Sequence, residues 1–159
     1  MNVQYVITEI TADTLKSSQA LQLVWNVFEE FEACQYSAEG VREFQNYIEY
    51  SSIKRLLDKS EVKMWGCFHN GDIIGTLFTE RPNHISLFFV DKRYHRQGIA
   101  RALYQKFIEY CSQNCNCLEI SVNSSLYAVE IYKKLGFVAT DTEQLKSGIR
   151  FIPMKHKIS

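Results

Sequence analysis

The sequence predicts an α/β fold of the α+β kind, a mixed sheet in a three-layer domain, and three features carry that reading. Two N-terminal stretches repeat apolar residues at spacings of three and four, as amphipathic helices do. A central Asn70-Gly71 separates two β-rich runs, the strongest short hairpin signal. Beyond residue 98, helical stripes alternate with short apolar runs. With 159 residues, 46% of them hydrophobic and 13% aromatic, the chain suits one domain, residues 1–159, with a sizeable core.

Residues 3–10 alternate loosely and read as a first strand. Thr11, Asp13 and Thr14 supply N-cap chemistry for a helix whose apolar positions are Leu21, Val24, Trp25, Phe28 and Phe31. Ser37-Ala-Glu39-Gly40 opens a second helical stretch through Val41, Phe44, Tyr47 and Ile48. Residues 62–69, 72–79 and 84–90 read as three strands of an antiparallel meander. From Ile99, the positions Ala102, Leu103, Phe107, Tyr110 and Cys111 trace a helix stripe, and residues 118–122 form a short buried strand. A further helix covers residues 125–135, stopped by Gly136, and residues 137–140 and 149–157 complete the sheet. The expected order is β-α-α-β-β-β-α-β-α-β-β.

Lys and Arg number 18 against 18 Asp and Glu, a net charge of zero. That balance excludes a protein whose main work is coating nucleic acid or an anionic membrane, since such binding needs a surplus of cations. No apolar run reaches the roughly 18 residues of a membrane span, and the N-terminus lacks a basic-then-apolar leader, so the expectation is a cytoplasmic chain without nucleic-acid or membrane partners. The five cysteines are odd in number and unpaired in spacing, which fits a reducing compartment. Cys111, Cys115 and Cys117 lack a second pair downstream, so no metal is expected.

The positive charge is concentrated. Between residues 92 and 101 stand Lys92, Arg93, Arg96 and Arg101 with His95 and no acid, at a strand-to-helix loop containing Gly98. A helix start offers unpaired N–H groups and about half a positive charge, and a glycine lets a ligand approach the backbone, which together suit a pyrophosphate. Neither G-x-x-x-x-G-K-[ST] nor G-x-G-x-x-G is present. A solvated basic helix start with a turn glycine is the alternative.

Two blocks of the sequence resemble the GNAT superfamily of acetyl-CoA-dependent N-acetyltransferases. The first is a strand ending in Phe88-Phe89-Val90, then His95-Arg96-Gln97-Gly98-Ile99-Ala100, similar to the family's [Q/R]-x-x-G-x-[G/A] at the head of a long helix. The second is Ala128-x-x-x-Tyr132-x-x-x-Gly136-Phe137, similar to its A-x-x-x-Y-x-x-x-G-F. The resemblance covers residues 62–137 well and the first sixty residues in element order. It implies a GNAT-like mixed, mostly antiparallel central sheet with helices on both faces. His95 stands where the family has Gln or Arg, and Ser125 where it often has Asn, with Asn123 two residues earlier as a substitute.

The resemblance implies direct attack of an amine on acetyl-CoA in a ternary complex. The pantetheine arm would pair with the backbone of Phe88 and Val90, between that strand and the one through Val122, and the diphosphate would sit on the amides of residues 96–101. Tyr132 matches the family's general acid; a core aromatic is the alternative. For the base, His84 lies at the even parity of Phe88 and Val90, and some family members place a His nearby; Glu80, Glu119 and water are alternatives. The acceptor site would fall near residues 28–44, where Glu29, Glu30, Glu32, Glu39 and Glu43 face Arg42 alone, suiting a cationic amine or simply forming solvent faces. Trp25, Phe28, Tyr36 and Trp65 line a pocket or belong to the core. The expected substrate is a small-molecule amine, with a protein or peptide amine, or a non-catalytic CoA-binding module, as rivals. The last strand, residues 149–157, either pairs across a homodimer or closes the sheet.

Overall fold

A computed structural model describes residues 3–158. An eight-stranded sheet runs in the order β1(Val6–Glu9), β2(Lys63–His69), β3(Asp72–Glu80), β4(His84–Val90), β5(Glu119–Ser124), β8(Ile149–Lys157), β6(Val138–Ala139), with β7(Gln144–Lys146) also on β8. All neighbours are antiparallel except β4 and β5. One face carries α1(Leu15–Ser18), α2(Ala20–Phe31), α3(Ala38–Tyr47) and α4(Tyr50–Leu57), packed through Leu23, Phe28 and Ile53 on Met64, Phe78 and Leu87. The other carries α5(Ile99–Asn114) and α6(Val129–Leu135), packed through Leu103, Phe107 and Tyr132 on Leu77, Ile120 and Met154.

The expected strands and helices are present, with additions. The first helical stretch is split at Gln19, whose φ of 61° is left-handed. Ser18 explains the break: its hydroxyl donates to the Leu15 carbonyl at 2.7 Å and accepts from the Ala20 N–H at 3.1 Å, replacing helical bonds. Helix α4 and strand β7 lie outside the expected order; Glu49, just before α4, provides no side-chain cap, and β7 is three residues long. Ser37 caps α3, accepting from the Gly40 N–H at 3.1 Å. Trp65 and Phe28 are core residues; Phe28 stacks on Phe44 with centroids 3.9 Å apart.

The last strand closes the sheet. Its residues pair with β5 along one edge and with β6 and β7 along the other, so neither edge offers a strand to a second copy. No helix among the described residues is long and apolar enough to cross a membrane.

Two irregularities place the site. Strands β4 and β5 pair only at His84↔Ser121 and Ile85↔Val122, then part. In β4, Phe78 opposes Leu87 while Thr79 opposes Ile85, so Ser86 is an extra residue, a bulge. The bulge reverses the alternation: Leu87 and Phe89 join the α1–α4 core, whereas Phe88 and Val90 join Ile85 on the α5–α6 side. His84, one residue before Ile85, therefore faces the side opposite to Phe88 and Val90. The shared parity expected from the sequence does not hold, because strand alternation survives only in the absence of a bulge.

Candidate active site

The parting of β4 from β5 opens a cavity of about 390 Å³. Its walls bring together Phe88, Phe89, Val90, Arg96, Gly98, Ile99, Ala100, Arg101 and Tyr132 of the expected site residues. Gln97, Asn123 and Ser125 lie outside that lining. Gln97 is exposed, its side-chain amide donating to the Arg93 carbonyl at 3.2 Å.

The strand edge facing the cavity follows from hydrogen-bond alternation. The Asp91 N–H donates to the Ile74 carbonyl of β3 at 2.8 Å, so Phe89 and Asp91 point to β3 and Phe88 and Val90 to the gap. The Val90 carbonyl is already engaged: the His95 ring nitrogen Nε2 lies 2.7 Å from it, pinning the loop to the strand end. His95 at this position thus ties down the loop.

Gly98 has φ +82°, and a Cβ built on it meets nothing within 4 Å, so it faces open space at the head of the sixteen-residue α5. Gly136 shares the left-handed backbone, with φ +109°, but a Cβ there would meet the His156 ring at 2.6 Å, so packing as well as backbone requires that glycine, whereas Gly98 faces open space. Of the four loop cations, Lys92 pairs with Glu30 at 2.7 Å and Arg93 with Asp91 at 2.9 Å. Arg96 has no carboxylate partner among the described residues, Arg101 donates to the Lys134 carbonyl at 3.1 Å, and both line the cavity with Lys134. The open glycine, the free N–H groups of a long helix and these cations fit a diphosphate, and the edge of β4, apart from the Val90 carbonyl held by His95, fits an amide-bearing arm.

Tyr132 is buried on α6, its ring 6.1 Å from that of Phe88 and 5.3 Å from that of Phe137. Burial first, and then the nearby Glu32 carboxylate, hold its phenol above the ordinary range, so it stays protonated at neutral pH. Glu32 also lines the cavity, and burial raises its carboxyl from 4.5 to about 7, with the Ser125 hydroxyl acting in the opposite direction. Sequence pattern counted Glu32 only among the acids of residues 29–43; Glu29, Glu39 and Glu43 are exposed, and nothing local marks Glu32 as buried. Tyr127, stacked on Phe31 at 5.1 Å, was likewise outside both motifs.

Ser125 is buried and accepts from the Ala128 N–H at 3.2 Å, starting the turn that leads into α6. Asn123 lies in a second cavity, with His84. The His84 Nδ1 is 2.8 Å from the Ser121 hydroxyl, and burial, helped by the charge of Arg81, lowers its pKa from 6.5 to about 4. Of the alternative bases, Glu119 is paired with Lys155 at 2.9 Å, and Glu80 lines the second cavity.

The family model described as "Acetyltransferase (GNAT) domain" matches residues 32–158, four-fifths of the chain. The chain belongs to the GNAT family of acetyltransferases. Among curated proteins, the GNAT chain is 31% identical to the L-amino acid N-acetyltransferase AaaT of Escherichia coli (strain K12) over 53% of this chain and 58% of that protein. The chain thus matches somewhat more than half of that relative's length. Among solved structures, it resembles a GCN5-related N-acetyltransferase from Rhodopseudomonas palustris with a TM-score of 0.79 at 17% identity, covering 99% of this chain and 98% of that one. It also resembles the PaiA N-acetyltransferase from Thermoplasma acidophilum in complex with coenzyme A, with a TM-score of 0.78 at 16% identity, covering 98% and 99%. At such identities these structures bear on the fold.

Proposed function

We propose that this GNAT chain transfers the acetyl group of acetyl-CoA to the primary amine of a small molecule, with both reactants held at once. One observation carries the reading: β4 and β5 part beyond Ile85 and Val122, with the larger cavity along the parted half of β4 and a second, polar cavity at the parting point. The names of two relatives support it, one an L-amino acid N-acetyltransferase and one described with coenzyme A. In this reading Phe88, Phe89 and Val90 line the arm of the cofactor, and residues 96–101 hold its diphosphate. When bound, acetyl-CoA supplies a thioester carbonyl open to an amine. Tyr132 donates its proton to the departing sulfur, for which a phenol kept protonated is suited, since a thiol has a pKa of about 8.5. The nitrogen attacks as the neutral amine, its ammonium having first released a proton to solvent, and His84, neutral down to about pH 4, accepts the second proton as the bond to carbon forms. It is a weak base, adequate because a nitrogen committing its lone pair to carbon becomes strongly acidic. Holding both reactants in place removes several kcal/mol of the barrier.

The test is CoA release from acetyl-CoA across a panel of amines, with Tyr132→Phe alongside. The expected result is a panel member that accelerates release and a kcat in Tyr132→Phe lower by about 10²- to 10⁴-fold, the usual contribution of a general acid. Cofactor binding with no amine accelerating CoA release would overturn the transferase reading in favour of a binding module.

A further inference from the structure

The second cavity has a volume of about 300 Å³ and is lined by Tyr47, Glu80, Arg81, His84, Ser86 and Asn123. Ser86 and Asn123 are the first residues beyond the last β4–β5 pair, so the cavity sits where the two strands begin to separate. Its side chains share a pattern. Glu80 is held through Oε2, which accepts from the Tyr47 hydroxyl and from the Ser86 hydroxyl at 2.8 Å, while Oε1 has no hydrogen-bond partner among the described residues. His84 is held through Nδ1, and its Nε2 has none. The Arg81 guanidinium is next in the chain to Glu80, yet the two form no ion pair, and it meets no other carboxylate among the described residues.

Glu80 and His84 are thus fixed in place with one polar atom each left for a ligand, while the exposed Arg81 side chain has no hydrogen-bond partner among the described residues. A structural ion pair would join Glu80 to Arg81 and satisfy both; here the carboxylate is oriented by neutral hydroxyls and keeps one oxygen free, and the cation beside it is unspent. A negative and a positive group at adjacent chain positions, in a cavity of small-molecule size, complement a ligand with both charges a few bonds apart. We propose that this cavity seats the acceptor and selects a zwitterion, the ammonium of a free α-amino acid on Glu80 and its carboxylate on Arg81. The inference rests on the transferase reading and names its substrate class. A protein or peptide N-terminus has no carboxylate on the α-carbon and does not meet the requirement.

The experiment compares kcat/KM for each of the twenty L-amino acids with that of the amine formed by removing its carboxylate. In the unaltered protein the best amino acid should exceed its decarboxylated partner by 10-fold or more. Arg81→Gln should lower that ratio by about 10-fold or more, the range of one charge-assisted hydrogen bond, with Arg81→Lys intermediate. Glu80→Gln should weaken both compounds alike and leave the ratio within about twofold. A ratio unchanged by Arg81→Gln, or no preference for the carboxylate, overturns the zwitterion seat. A second readout needs no turnover: titrating the protein alone with the best amino acid should shift the His84 imidazole resonance, assigned by His84→Gln, and should fail to do so in Arg81→Gln. Transfer to amines without amino-acid preference refutes the seat and leaves the transferase reading standing. Amino-acid binding without CoA release from any panel member does the reverse.

Discussion

Two cavities flank one strand, and they are built from different material. The cavity along Phe88–Val90, which we propose takes the cofactor, offers such a ligand chiefly backbone groups: the edge of β4, the N–H groups heading α5 and the open face of Gly98. The polar cavity around His84 is made of side chains delivered by four separate elements: Tyr47 from α3, Glu80 at the end of β3, His84 and Ser86 from β4, and Asn123 from β5. Burial acts on a titratable group in each with opposite sign, raising Glu32 to about 7 and lowering His84 to about 4, because one is charged without its proton and the other with it. A backbone-made site imposes a local pattern on the chain; a side-chain-made site needs only that the fold bring distant residues together.

The sharpest break in this comparison is Gly98→Glu. The left-handed φ strains the new residue, and the side chain fills the open face with bulk and a negative charge where a diphosphate would sit. CoA affinity should fall by 100-fold or more in a calorimetric titration, with folding retained by circular dichroism. An unchanged affinity sinks the assignment of residues 96–101. The corresponding change in the other cavity, Glu80→Gln, should leave CoA affinity within about twofold.

That contrast explains what the sequence revealed. The strands, the long helix at Ile99 and the segment 88–101 that supplies much of the larger cavity's lining were legible because period, turn chemistry and a local motif all occupy consecutive residues. The burial of Glu32 was not: among five glutamates in the segment 29–43, only the packing of the end of α2 against Ser125 and Tyr132 separates it from its solvated neighbours. The orientation of His84 was misread for a related reason. A single extra residue, Ser86, reverses strand parity, and no residue type in 84–90 announces a bulge.

The two buried groups provide the next largest effect. Glu32 ionises at 4.5 unfolded and about 7 folded, so between those values the folded chain holds more protons and its stability falls as pH rises. His84 ionises at 6.5 unfolded and about 4 folded, so between those values the unfolded chain holds more protons and stability rises with pH. Each displacement corresponds to about 3 kcal/mol at full extent. From pH 4.5 to 6.5 the two oppose each other, and single variants uncover them. Relative to its own value at pH 4, Glu32→Gln should gain about 3 kcal/mol over the parent protein by pH 8 in urea unfolding. Relative to its own value at pH 8, His84→Gln should gain a similar amount by pH 4. Parallel pH profiles for parent and variants would contradict the burial of both groups.

The smallest effect separates Ser125 from Asn123, the two residues considered as stand-ins for the family's asparagine. Ser125 is buried beside Glu32 and accepts the Ala128 N–H that opens the turn into α6, whereas Asn123 is exposed on the wall of the polar cavity. Ser125→Ala should therefore cost about 1 kcal/mol of stability, as loss of a capping hydroxyl does, and should raise the Glu32 pKa further, because that hydroxyl stabilises the carboxylate. Asn123→Ala should leave stability within about 0.5 kcal/mol, as surface substitutions do, and raise the acceptor KM a few-fold while CoA affinity stays put. If Asn123→Ala instead weakens CoA and spares the acceptor, the cofactor reaches across the parting point and the two cavities form one continuous site.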